Sequence, residues 1–220
     1  MRAATMTAWM GSMVLGLTAC GDGGVELSQE QTAQVLLTSE EFPLDGFSRG
    51  EVDQSASEEA TATTGPSDDS LAALLEGQDV SPTCLDALEA TDLGNDDFMA
   101  QSSVTFTQGD ESALVPTTVD VVVATVDGES PLKPLASVND ECDEVTIEDQ
   151  GVSMVMTFED LETLEGTKMS VAIDELSVDM IMGGTMQDKM VVAGFATGVD
   201  EDQLTQVIEA QVAKVQDLES

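Results

Sequence analysis

The sequence predicts an α+β domain: an antiparallel sheet of about six strands flanked by an N-terminal helix, short helices and a long C-terminal helix. Three observations predict it. Apolar residues recur at every second position through much of the stretch from Ser102 to Ala196, the segments between these runs are short and turn-rich, and a helical stripe runs from Leu204 to Leu218. With 220 residues, one domain with a real core is the default. The 44 acidic and 6 basic side chains give a formal charge of −38, a value that would suit disorder, but the 41% apolar residues are clustered and periodic. Most of the charge therefore belongs to the surface of a folded domain.

Taken in order, Ser28-Gln29-Glu30-Gln31 is a capping box, opening a helix through Val35, Leu36 and Leu37. Ser39 to Pro43 reads as a short turn, followed by a loop around Pro43 and Gly46. Residues 51–70 hold six acids and no base, with little to bury, and read as a flexible acidic insertion. Leu71 to Leu75 and Cys84 to Ala90 read as short helical pieces, Leu85 and Leu88 facing a core beside Cys84. The period then becomes two. Ser102, Val104 and Phe106 alternate with Ser103, Thr105 and Thr107. Val119 to Val126 is apolar on both faces apart from Asp120 and Thr125, which suits a central strand. Pro131 to Val138 is a short helix leading to Cys142. Val152, Met154, Met156 and Phe158 share one face of a strand, and Met169, Val171 and Ile173 one face of the next. Val178, Met180 and Met182 continue the pattern to Gly183-Gly184, and Met190 to Ala196 is apolar throughout. Asp200 caps the last helix with Gln203 three residues on, and Leu204, Val207, Ile208, Val212, Val215 and Leu218 form its stripe. Short loops imply a meander of antiparallel neighbours.

The N-terminus predicts the compartment. Met1 to Ala19 reads as a signal peptide: Arg2 is its charge, and Ala8 to Leu17 its apolar stretch, shorter than the roughly 20 residues a bilayer span takes. It ends in Leu17-Thr18-Ala19-Cys20, which resembles the lipobox of bacterial lipoproteins. The resemblance implies cleavage before Cys20 and a diacylglycerol thioether, of palmitate type, on that residue. An ordinary signal peptide that happens to contain a cysteine is the alternative. Two acyl chains hold a protein on a membrane where one holds it only marginally. The expected organisation is a leader over 1–19, a tether over 20–27 and one extracytoplasmic domain over 28–220. Without Arg2 the mature chain carries −39, so anionic headgroups repel it and the anchor must do the holding. Setting Cys20 aside leaves Cys84 and Cys142, an even remainder that in an oxidising compartment favours a structural disulfide.

The order of elements resembles the PknH-like extracellular sensor domain of actinobacterial serine/threonine kinases and small lipoproteins. The residues that carry this are the helix Gln31 to Leu37 followed by Ser39-Glu40-Glu41-Phe42-Pro43-Leu44, Cys84 in a short helix, and the strand Val119 to Val126. Cys142 after a helical stretch, Val191-Val192-Ala193, and the helix Gln203 to Leu218 complete the order. The resemblance implies an α/β domain with a cleft for an undefined ligand, and no catalytic residues. The family domain has a second disulfide, which two remaining cysteines cannot supply.

Several function classes are set aside by composition. Nucleic acid requires Lys/Arg patches, and none exists. The chain has no His, and only carboxylates or four lysines could act as bases, so an enzyme is not expected. Glycoside hydrolysis by paired carboxylates lacks the Trp or Tyr stacking platform in the mature chain. The carboxylate runs Asp92/Asp96/Asp97, Asp140/Glu141/Asp143/Glu144 and Asp200/Glu201/Asp202 match no calcium loop and read as solvated surface. Met154, Met156, Met169, Met180, Met182, Met186 and Met190 read as core filling at strand spacing. They would also suit an adaptable apolar groove, and thioethers can take soft metal. No metal and no cofactor is expected. The function expected is a non-enzymatic, lipid-anchored, extracytoplasmic sensor-like or ligand-binding lipoprotein. Its partners would be the membrane through the anchor and an unidentified small molecule or envelope protein. The alternative is an envelope lipid or glycolipid carrier of the LppX/LprG type with an apolar cavity. The ligand-binding residues and the oligomeric state are left open.

Overall fold

The computed structural model describes residues 26–54, 75, 78, 80–91, 98–109, 115–142, 144–149, 152–174 and 176–218. The expected leader, Cys20, most of the tether and residues 55–70 of the expected insertion lie outside them, as do Asp92, Asp96, Asp97 and Asp143.

Alternating apolar residues build a single sheet of eight strands. These are β1 (Phe47–Asp53), β2 (Phe98–Gln108), β3 (Thr117–Val126), β4 (Glu144–Asp149), β5 (Val152–Asp160), β6 (Glu165–Ile173), β7 (Leu176–Gln187) and β8 (Met190–Thr197). Their spatial order is β1-β2-β3-β8-β7-β6-β5-β4, and every neighbouring pair is antiparallel. Four helices of defined extent accompany them: α1 (Gln29–Gln34), α2 (Pro82–Glu89), α3 (Lys133–Glu141) and α4 (Glu201–Asp217). The α+β class, the antiparallel sheet and the closing helix are those the sequence predicts. Eight strands replace the six expected, and β3 pairs with β8 instead of its sequence successor, so the sheet is not a simple meander.

Helix ends follow their cap chemistry. Ser28 and Gln31 form a reciprocal capping box on α1, and Asp200 and Gln203 form another on α4. Ser81 caps α2, with Pro82 in the first turn where its missing N–H costs nothing.

Side-chain alternation then sends each strand's residues to two faces. On one face Val104, Phe106, Val119, Val121, Val123, Val192 and Ala196 meet Val35, Leu36, Leu37 and Phe42 from the N-terminal segment, and Leu204, Val207, Ile208 and Val215 from α4. Phe42 stacks on Phe106 with centroids 3.9 Å apart. On the opposite face, at the β4–β7 end, Val145, Ile147, Met156, Phe158 and Met169 meet Cys84, Leu88, Val138 and Cys142 of the α2–α3 pair. A smaller cluster of Ala124, Val126, Val191 and Ala193 with Leu132 and Leu135 joins the two regions. β3 and β8 are buried on both sides, as their continuous apolar runs require. Leu218, placed by sequence in the α4 stripe, is exposed; Gln211 is buried on that face instead.

Candidate functional site

A disulfide joins Cys84 to Cys142, with Cα atoms 4.9 Å apart across 58 residues of sequence. It ties the first turn of α2 to the residue that ends α3. The methionines divide. Met156, Met169 and Met190 are buried, and Met154, Met180, Met182 and Met186 are half-buried against core clusters. Those of β5 and β6 face the α2–α3 pair and fill space there as core residues do.

A concave feature lies on the other face, at the end of the sheet where β8 turns into α4. It is a cleft of about 900 Å³. β5 supplies Glu159 and Asp160, β6 supplies Lys168, and the start of β7 supplies Leu176 to Asp179 and Ile181. Thr197 to Glu201 and Glu162 close the sides, and Val115 stands at the rim. The register explains the grouping: Glu159 pairs with Lys168, Lys168 with Ile181, and Ile181 with Ala196, one rung across four strands. Strand alternation therefore aims Glu159, Lys168 and Ile181 at one face.

Among the described residues, Lys168 is the only cation lining the cleft, beside six carboxylates. Its ammonium lies 3.0 Å from Glu159 Oε2 and 3.8 Å from Asp179 Oδ2. The hydrogen bond to Glu159 holds the Lys168 pKa above its ordinary value against partial desolvation, with the Asp179 charge assisting. Asp200 is committed to its cap, accepting from Gln203 N at 2.8 Å. Glu201 fixes the β5–β6 loop: its Oε1 accepts from Glu162 N at 2.6 Å and Thr163 N at 3.2 Å. Thr163 and Thr205 hydroxyls meet at 2.8 Å and reinforce the same clasp. Asp200 thus holds the capping role read from sequence, and Glu201, read there as solvated surface, is a structural member of the cleft wall. Leu176 and Val115 remain 46% and 37% exposed, leaving apolar surface beside the acidic wall.

Such a cleft can hold a ligand by shape, by apolar contact, and by donors offered to its carboxylates. Its field is hostile to anions. Among the described residues there is no group of three or more potential metal ligands, and no helix is long and apolar enough to cross a membrane. Sequence reasoning left the ligand-binding residues open because these side chains come from five segments, with no spacing that marks them as a set. Cys20 lies outside the described residues.

No family and no curated protein matches the chain. Among solved structures, the extracellular domain of PknH from Mycobacterium tuberculosis matches with a TM-score of 0.50 and 14% identity, over 89% of this chain and all of that one. The two share a fold.

Proposed function

We propose that the chain is a lipid-anchored lipoprotein whose extracytoplasmic domain binds a small molecule or an envelope protein, in the manner of a sensor and without catalysis. The observation that carries this reading is the fold held in common with an extracellular domain, that of PknH. The sequence Leu17-Thr18-Ala19-Cys20 supports the anchor, and the cleft beside the start of α4 supports binding. Absence of catalysis is supported by the state of the cleft's polar groups. Lys168 is held by Glu159 and Asp179, Asp200 by its cap and Glu201 by a loop, so these cleft groups are engaged in structure.

The test is fractionation of cells expressing the full chain and its Cys20→Ala variant. Wild type is expected in the membrane fraction, with processing blocked by globomycin. Cys20→Ala is expected to remain unprocessed and to lose acyl label. Equal acyl labelling of the two rejects the anchor. The carrier alternative finds no support in the methionine-bearing strands β5 and β6, whose inward face is filled by α2 and α3. Mass spectrometry of organic extracts from the purified domain separates the readings, since stoichiometric acyl lipid would favour a carrier.

A further inference from the structure

We infer that the membrane-facing surface is the end of the sheet carrying the β7–β8 hairpin, and that the cleft opens at the opposite end, away from the bilayer. This rests on the lipid-anchor reading and adds to it an orientation and a source of ligand. The first described residues show where the tether meets the domain. Leu27 is buried and pinned to Thr125 near the end of β3, its N–H donating to Oγ1 at 3.2 Å and its carbonyl accepting from Oγ1 at 3.1 Å. Glu26 pairs with Lys189, which precedes β8 and also lies 3.4 Å from Asp127. The hydrogen bond that Lys189 donates to Glu26 raises the Lys189 pKa above its ordinary value. Val126 N donates to Lys189 O at 2.8 Å, so these residues form one end of the sheet.

The cleft lies at the other end. Thr197, Gly198 and Val199 line it, and the register runs from Thr125↔Met190 at the tether end to Thr118↔Thr197 at the cleft end. The eight residues of β8 separate the two by roughly 25 Å, at about 3.3 Å per residue. The six steps from Cys20 to Glu26 span at most about 20 Å. So short a tether holds the β7–β8 end near the headgroups, while the mature charge of −39 pushes the rest of the domain outward. A ligand then enters the cleft from the aqueous or wall side. A lipid of the protein's own leaflet would have to travel the length of the sheet and then meet six carboxylates.

Single cysteines in the lipidated chain test this. Glu129→Cys reports the tether end; Glu129 is exposed and pairs only with Lys133 on the surface. Ser177→Cys reports the cleft and changes one exposed oxygen to sulfur. Each is labelled with a fluorophore and bound to phosphatidylcholine vesicles containing about a quarter phosphatidylglycerol and a headgroup-linked quencher. Retention of the Cys84–Cys142 bridge by mass confirms folding of both variants. Expected is vesicle flotation of both, with several-fold stronger quenching at position 129 than at 177. Flotation with equal or reversed quenching overturns the orientation and leaves the anchor standing. Failure of the acylated protein to float overturns the anchor reading, and the orientation with it.

Discussion

Gln211 shows how one polar side chain can hold distant parts of the chain together. It occupies the buried face of α4 between Ile208 and Val215, where a pure stripe would place an aliphatic residue. Its Oε1 accepts from Leu37 N at 3.0 Å, and its Nε2 donates to Val35 O at 2.7 Å. A segment leaving α1 has backbone groups with no ladder partner, and a buried amide satisfies two of them at once. Gln211→Leu keeps the volume and strands both groups, so a loss of about 2–3 kcal/mol in urea unfolding is expected. A change below about 0.5 kcal/mol would contradict the role. The sequence could not reveal this, because a Gln on an apolar face reads as an interruption until its backbone partners are placed. Glu41 is a contrasting case at the rim of the same contact. The Lys214 ammonium, 2.5 Å away, and then the Thr38 N–H and hydroxyl lower its pKa to about 2 from 4.5. A depressed carboxyl contributes stability that is present above pH 4.5 and is lost as pH falls toward 2. The Glu41 side chain is 45% exposed, so its contribution is under about 1 kcal/mol. The stability gap between wild type and Glu41→Gln should therefore close across that window, and a gap constant with pH argues against it.

At the scale of elements, legibility followed the strength of the alternation. β2, β3, β5, β6 and β8 carry three or more apolar residues on a buried face, and α1 and α4 carry their capping boxes in sequence. β1 and β4 were missed for local reasons. β1 reads Phe-Ser-Arg-Gly-Glu-Val-Asp, and an irregularity between Arg49 and Val52 breaks its period; its last three residues, 51–53, fall in the segment expected to be a flexible insertion. Among its described side chains β4 buries Val145 and Ile147 alone, and its opening Glu144 passes for solvated surface. β7 runs through Gly183 and Gly184, where sequence placed its end. Gly184 is needed there: a Cβ would lie 2.2 Å from the carbonyl oxygen of Val192 on the neighbouring strand. The α2–α3 pair is held to its face by a modest core, which gives the disulfide its importance. Closing a loop of 58 residues removes unfolded-state entropy worth about 4 kcal/mol. Cys84→Ala with Cys142→Ala should lower the urea midpoint by a corresponding amount, and adding reductant to the double variant should do nothing further. An unchanged midpoint would show that the helices hold themselves.

For the whole molecule, charge is the dominant variable. A formal −38 is spread over a domain whose described salt bridges involve Lys133, Lys168, Lys189 and Lys214, so most carboxylates face one another through solvent. Screening shortens from about 30 Å to about 3 Å as salt rises from about 0.01 M to about 1 M. Self-repulsion opposes the compact state, so Tm is expected to climb monotonically over that range, and a flat or falling Tm would refute it. The class of fold was legible at this scale because helix and strand periods were clean. The pairing order was not, since nothing in a strand's own residues states that β3 and β8 lie side by side. The cleft inherits that limit, being an outcome of register across β5, β6, β7 and β8.

The β3–β8 pairing has one more consequence. The midline of the sheet is sewn by residues some seventy positions apart, and the segment leaving α1 is clasped by α4 through Gln211 and Lys214. Contacts of such long range form slowly and late. A nascent fragment lacking α4 leaves this core open, so the polypeptide stays pliable until that helix has been made, and a narrow conduit could thread it up to that moment.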